Sequence, residues 1–376
     1  PIATNTNIRM AASEIFTENY YFLDSLNNDD TPNFDANNLI RASVFGDGII
    51  QDPASLRDAN IKPMYQDEWL LGGEHQFDNG WSVSATAIYR KLGVLIEDIA
   101  IDAAVPGWAA ANGYDAVAAA STWSGFHQYV LTNPGQDMLV GTNDLLNLDG
   151  SSPGLVLMDL TAAELGYPEG KRTYKAIQLT ASREWDGQWS LDANYTFSRS
   201  EGNTEGTVKS DNGQDDAGIT TDFDQPGLTD YSDGRLPNDR THHFKMWGSY
   251  AVSDNLTVGA KLDIESPRQQ GCIGAHPTDY FASLYGKNSW FCGGVPTPRG
   301  TQQSTDWQKT LDLSFSFTPS INEQIPGDLT IRADVFNVFD STAVTDRDEY
   351  DSPDTFGYAT NYQRPRYVRI MASYKY

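Results

Sequence analysis

Seven aspartates lie between positions 211 and 233: Asp211, Asp215, Asp216, Asp222, Asp224, Asp230 and Asp233. Calcium takes six to eight oxygen ligands from such clusters, which makes Asp211, Asp215, Asp216, Asp222 and Asp224 candidate calcium ligands. The segment lacks the twelve-residue calcium-loop pattern with its Gly and terminal Glu, so a solvated acidic loop is the competing reading. Asp346, Asp348, Glu349, Asp351 and Asp354 pose the same question nearer the C-terminus. The five histidines, His75, His127, His242, His243 and His276, form no HExxH pattern, and GxSxG, phosphate-loop and CxxC motifs are absent from the sequence. His242 and His243 beside the Asp-rich segment would be the nearest approach to a hydrolase. Adjacent residues of a strand point to opposite faces, however, which weakens a shared site. No residue is assigned a catalytic role, the chain reads as a non-enzyme, and no cofactor beyond calcium is expected. The two cysteines, Cys272 and Cys292, stand twenty apart among Gly, Pro and aromatics. An oxidising compartment would join them in a disulfide, the favoured reading; a reducing one would leave two thiols.

Aromatic side chains concentrate in two long polar stretches. Trp108, Trp123, Phe126, His127 and Tyr129 fall within 99–172, and His276, Tyr280, Phe281, Tyr285, Trp290 and Phe291 within 266–305. Exposed aromatics on loops suit ligand capture, which nominates Trp108, Trp123, His127, Tyr280, Tyr285 and Trp290 as contacts. The plainer alternative, and the favoured one for 99–172, is that so long a loop packs a small core of its own. Local helix signals support it: an Ala-rich run after Asp115, the capping-box spacing of Thr161 and Glu164, and Asp52-Pro53 as a helix start.

The elements that must position these loops are strands. Apolar and polar residues alternate with period two, most clearly in 189–198, where Trp189, Leu191, Ala193, Tyr195 and Phe197 oppose Ser190, Asp192, Asn194, Thr196 and Ser198. About ten such segments occur, near 15–24, 64–77, 81–98, 173–185, 189–200, 240–251, 255–265, 306–317, 328–339 and 365–376. Many reach the roughly 9–11 residues that cross a bilayer as a tilted strand. Short connections such as Asp78-Asn79-Gly80, Asp186-Gly187-Gln188 and Ser253-Asp254-Asn255 alternate with long ones near 25–63, 99–172, 201–239, 266–305 and 340–364. Aromatics bracket the short turns: Phe77, Trp81, Trp185, Trp189, Tyr250 and Phe317. Short turns on one rim, long loops on the other and an aromatic girdle describe an outer-membrane barrel. The expected fold is thus all-β, an antiparallel transmembrane β-barrel with short periplasmic turns and long extracellular loops. A soluble β-sandwich with its greasy faces turned inward is the alternative. No stretch approaches the roughly 20 apolar residues of a spanning helix. The net charge of −25 argues against nucleic acid as a partner.

The C-terminal segments 328–340, DLTIRADVFNVFD, and 365–376, PRYVRIMASYKY, resemble the closing strands of TonB-dependent outer-membrane receptors, and 60–81 resembles a hairpin that follows a long external loop in that family. The likeness is to the Oar-like group in particular. It implies a 22-stranded barrel of which this chain supplies the C-terminal ten or so strands, with Tyr374 and Tyr376 in the barrel-assembly signal. It further implies residence in the Gram-negative outer membrane among lipid and lipopolysaccharide. The expected partners are an N-terminal plug, the remaining barrel strands, TonB acting through a segment outside this chain, and an extracellular solute, peptide or protein bound at the loops. The opening PIATNTNIRM carries no export signal and reads as the interior of a longer polypeptide. A self-contained small barrel acting as adhesin, pore or surface enzyme is the rival expectation.

Overall fold

The computed structural model describes residues 16–21, 39–45, 52–214, 220–319 and 327–375, which fall into two compact units. The larger unit, drawn from 62–99, 133–136 and 165–375, contains an antiparallel ten-stranded sheet. Nine strands run in sequence order across it: β1 (Tyr65–Gln76), β2 (Trp81–Val94), β3 (Arg172–Arg183), β4 (Trp189–Gly202), β5 (His242–Ser253), β6 (Leu256–Glu265), β7 (Gln308–Phe317), β8 (Asp328–Phe336) and β9 (Tyr367–Lys375). The tenth is the two-residue Gly234–Arg235, paired with the outer end of β4. Nine of the ten segments expected from alternation are therefore strands of this sheet.

Register explains why alternation was informative. Ala193, Met246, Leu262 and Leu311 stand opposite one another across β4 to β7, and Trp189, Tyr250, Val258 and Phe315 form a parallel row nearer the short turns. One residue along, Asn194, Lys245, Asp263 and Thr310 form a polar row on the other face. A slip of one residue would exchange the faces, so the pattern fixes the pairing. The apolar face is not packed beneath a second sheet: Trp69, Leu71 and Ile370 are 71 %, 79 % and 74 % exposed. In water such a continuous greasy surface would be untenable, whereas lipid is its natural solvent. That observation removes the sandwich reading.

On the short-turn rim, Gly80 and Gly187 adopt φ of 82° and 99°, conformations open to glycine at little cost. The Trp81 and Trp189 rings meet edge-on at 5.9 Å, and the Arg183 guanidinium lies 3.9 Å above the Trp189 ring. Arg183 also donates to Asp186 at 2.6 Å, tying the aromatic girdle to its turn.

Two boundaries differ from expectation for local reasons. The segment 81–98 breaks after Val94, and Glu97–Ala100 forms a separate short strand. The segment 328–339 ends at Phe336 because Asn337 takes a left-handed φ of 47°. Its side chain donates to the carbonyls of Ser341 and Arg364 while its backbone N–H donates to Asp312, so this asparagine stitches the base of the 340–364 loop.

The smaller unit draws on 16–61, 100–132 and 137–164. Phe16–Tyr21 pairs antiparallel with Leu39–Phe45, a strand inside the stretch expected to be loop. Each of the three expected helix starts is realised. Asp52 caps Pro53–Leu56, Asp115 caps Ala116–Thr122 through the N–H groups of Val117 and Ala118, and Thr161 and Glu164 exchange capping-box bonds of 2.8 and 3.3 Å. Val105, Trp108, Ala119, Trp123, Val140, Leu145 and Met158 form a core. Two buried carboxylates staple its backbone: Asp102 accepts from the N–H groups of Gly125, His127 and Gln128, and Asp58 from Leu139 N–H and the Thr132 hydroxyl.

Candidate functional site

In the larger unit, the 201–239, 266–305 and 340–364 loops fold on one another with short ladders of their own. Gln269–Gln270 pairs with Gln303–Ser304, Gly274–Ala275 with Lys287–Ser289, and Val344–Arg347 with Ala359–Tyr362. Phe291–Cys292 pairs with Val295–Pro296 across Gly293-Gly294, whose φ angles of 57° and 76° both require the left-handed region. Cys272 and Cys292 are joined by a disulfide with Cα atoms 5.7 Å apart. The backbones of Ile273 and Glu349, and of Asp351 and Ile273, exchange hydrogen bonds of 2.7 and 2.8 Å, which couples the cystine loop to the last loop.

At the centre of these loops sits a buried charge cluster. Arg299 is fully buried, pairs with Asp211, and has Asp222 and Glu205 each at 3.9 Å. Lys209, equally buried, reaches Asp222 at 3.2 Å. The Trp290 ring lies beneath both cations, 5.0 Å from the Arg299 guanidinium and 5.9 Å from the Lys209 ammonium, a cation–π arrangement strengthened by exclusion of water. Burial alone would lower the Arg299 pKa, but Asp211, Asp222 and Glu205 more than offset it and hold the charge.

Around this pairing lie carboxyls whose pKa burial raises. Glu97 is pushed up to about 9 by desolvation, opposed by its bonds to Thr220 and reinforced by Asp98 and Asp222. Asp224 is raised to about 7 by desolvation, with Asp98 adding to the effect and a hydrogen bond from Tyr285 and the charge of Lys209 opposing it. Glu349 is raised to about 7 by desolvation and Asp211, despite Arg268 at 2.9 Å and the Gly271 N–H at 2.6 Å.

This geometry revises several expected site residues. Of the candidate calcium ligands, Asp211 and Asp222 pair with the chain's own cations, Arg299 and Lys209. Asp230 meets His276 at 3.2 Å and Asp233 meets Lys171 at 3.3 Å. Asp215 and Asp216 lie outside the described residues, as does Tyr376. Trp108, Trp123 and Trp290 are buried, so they organise loop cores and are not surface contacts. The Trp108 indole N–H donates to the Asp159 carbonyl and carboxylate at 3.1 and 3.2 Å. His127 is partly exposed, 3.0 Å from Asp144 and edge-on to Trp123. Tyr285 is half-buried on Asp224, whereas Tyr280, 61 % exposed on the helix Tyr280–Ser283, is free to meet an external molecule with its ring. Lys209 and Arg299 went unremarked in the sequence because each acts on carboxylates brought to it by folding.

His242 and His243 do face opposite ways. His242 stacks on Tyr195 and Trp307 of the apolar side, with Tyr195 Oη 2.8 Å from its Nδ1. His243 turns to Asp263 and Glu265 on the polar side. Tyr374 lies on β9 opposite Leu329.

Known proteins resemble this chain in sequence or in fold. The TonB-dependent transporter Oar of Myxococcus xanthus is 25 % identical over 294 residues, covering 78 % of this chain and 22 % of the relative, so the chain spans about a fifth of that protein's length. Among solved structures, the outer membrane transporter YddB of Escherichia coli aligns with a TM-score of 0.46 at 14 % identity, over 85 % of this chain and 34 % of its own. The siderophore receptor PirA of Acinetobacter baumannii aligns at 0.43 and 11 % identity, over 89 % and 34 %. The ferric-catecholate import receptor Fiu of E. coli K12 aligns at 0.41 and 15 %, over 83 % and 28 %. Residues 3–255 match the family described as outer membrane beta barrel domain. With its lipid-adapted sheet, short-turn rim and long folded loops, the chain belongs to the outer membrane beta barrel domain family and resides in the Gram-negative outer membrane.

Proposed function

We infer that the chain forms part of the wall and the outer loops of a TonB-energised receptor that captures a solute, peptide or protein from the medium. The carrying observation is the sheet itself, with one face greasy and exposed and the other polar, and with the described parts of its 201–239 and 266–305 loops folded around buried residues. Similarity to a TonB-dependent transporter supports the energised reading. The polar face, with Lys245, Lys261, Asp263, Arg332, Asp334 and Arg369, suits a wall that holds a removable plug. β1 and β9 have no further strand on their outer edges among the described residues. Unpaired edges are not tolerated in lipid, which supports the remaining barrel strands as partners, with lipid and lipopolysaccharide outside. Tyr374, near the end of β9, fits a barrel-assembly signal.

Two experiments test this reading. Cells carrying the whole protein should deplete a component of the medium, and removal of TonB should leave that component bound at the surface without internalisation. Uptake that persists without TonB overturns the energised mechanism. Separately, Leu179→Arg places a charge midway along β3 on the lipid face and should cost about 2–4 kcal/mol. The expected result is loss of most of the heat-modifiable band from outer membranes, while Thr180→Arg on the polar face retains it. Equal tolerance of both changes would place lipid elsewhere.

A further inference from the structure

Where β5 begins and β6 ends, the polar face brings together an imidazole and two carboxylates. Asp263 and Glu265 share that face because side chains two apart in a strand do, and His243 is the register partner of Glu265. His243 Nε2 lies 2.9 Å from Asp263 Oδ1 and 3.1 Å from Glu265 Oε1, and the three ligand atoms all fall within 4.8 Å of one another. All three residues are partly accessible.

A neutral imidazole nitrogen has one proton at most, so two carboxylates converging on one Nε2 share a single donor. A divalent cation would satisfy all three atoms together. A tetrahedral ion with bonds of about 2.1 Å separates its ligands by about 3.4 Å, so the nitrogen–oxygen distances need widen by only a few tenths of an ångström. The other carboxylate oxygens already have outer partners. Arg240 Nε is 3.2 Å from Glu265 Oε2 and Lys261 Nζ is 4.0 Å from Asp263 Oδ2, which leaves Oδ1 and Oε1 oriented inward. Arg240 also donates to the Ser266 carbonyl at 2.7 Å, anchoring that outer arm.

We propose that His243, Asp263 and Glu265 form a binding site for a first-row divalent cation, of which Zn2+ is the representative, at the outer end of the sheet's polar face. The imidazole binds through the Nε2 lone pair with its proton on Nδ1, two carboxylate oxygens complete three positions, and the fourth is left to water or to an incoming ligand. The ion would pin the β5 and β6 ends from which the 201–239 and 266–305 loops depart.

The test uses the whole untagged protein purified from outer membranes in detergent. Titration with Co2+, followed by its ligand-field absorption and displaced with Zn2+, should show one saturable equivalent per chain. His243→Asn, Glu265→Gln and Asp263→Asn should each weaken binding at least about tenfold, provided that each variant retains heat-modifiable migration. Zinc X-ray absorption of the wild type supplies a readout that needs no variant: a shell of oxygen and nitrogen containing one imidazole is expected. Absence of saturable binding, a shell without imidazole, or unchanged affinity in folded variants overturns the site.

Discussion

Replacing Arg299 with methionine is expected to open the extracellular loops while leaving the sheet assembled. The substitution keeps an apolar stem near Trp290 but removes the guanidinium that pairs with Asp211 and lies 3.9 Å from both Asp222 and Glu205. Removing one member of a buried ionic cluster strands the other charges in a poorly polarisable interior, at a cost of about 3–5 kcal/mol. At about 1.4 kcal/mol per tenfold, loop opening should rise by roughly two to three and a half orders of magnitude. Hydrogen exchange at the 201–239 and 266–305 backbones reports this directly, with the amides of β3 and β4 as internal controls. Combining Arg299→Met with Asp211→Leu should recover part of the loss, because an apolar pair avoids the desolvation that the lone carboxylate suffers. Wild-type protection in the single variant would show that the cluster carries no weight in holding the loops.

The sheet was legible and the cluster was not, and the difference is one of range. Trp189, Leu191 and Ala193 alternate with Ser190, Asp192 and Asn194 because lipid and water act on successive residues of one strand, so a local pattern records the fold. Phe77, Trp81 and Trp189 likewise declare the rim in a few letters. Leu39–Phe45 was missed because LIRASVF is a short run inside a polar stretch. Arg299 and Asp211 are 88 residues apart, and nothing in either neighbourhood names the other. An Asp-rich stretch reads identically whether its charges face water, calcium or an arginine from another loop. Aromatics in long loops were ambiguous for the same reason: Trp123 and Trp290 became core while Tyr280 stayed outside, a choice made by packing partners distant in sequence. Asn337 lies inside the segment 328–340 that resembles a closing strand, but its turn and its role in tying Ser341 and Arg364 emerge only with the left-handed backbone.

Alkaline pH is expected to loosen the same loops from another direction. Glu97, Asp224 and Glu349 have ordinary pKa values near 4.5, 3.8 and 4.5 and are raised in the folded protein to about 9, 7 and 7. Between the unfolded and folded values the folded loops bind more protons than the unfolded ones, so stability falls as pH rises through that window. The contribution is therefore fully present below about pH 4, is lost first as Asp224 and Glu349 ionise near pH 7, and is lost further as Glu97 ionises near pH 9. The groups around them explain why ionisation is resisted. Glu97 meets Asp98 and Asp222; Asp224 meets Asp98 and Asp222 against Lys209; Glu349 meets Asp211 against Arg268. Cleavage of the loops by an external protease on intact outer membranes should thus accelerate from pH 6, less steeply once Asp224 and Glu349 have ionised near pH 7, and level off above about pH 9, whereas β3 to β6 stay protected. Glu97→Gln, which keeps an acceptor for Thr220 without a titratable proton, should flatten the rise between about pH 7 and pH 9 and leave the part below pH 7 that Asp224 and Glu349 carry. A rate of cleavage that is constant across the range, after correction for the protease's own pH profile, would mean that these carboxyls are ionised in the folded loops and that the cluster is balanced by cations alone.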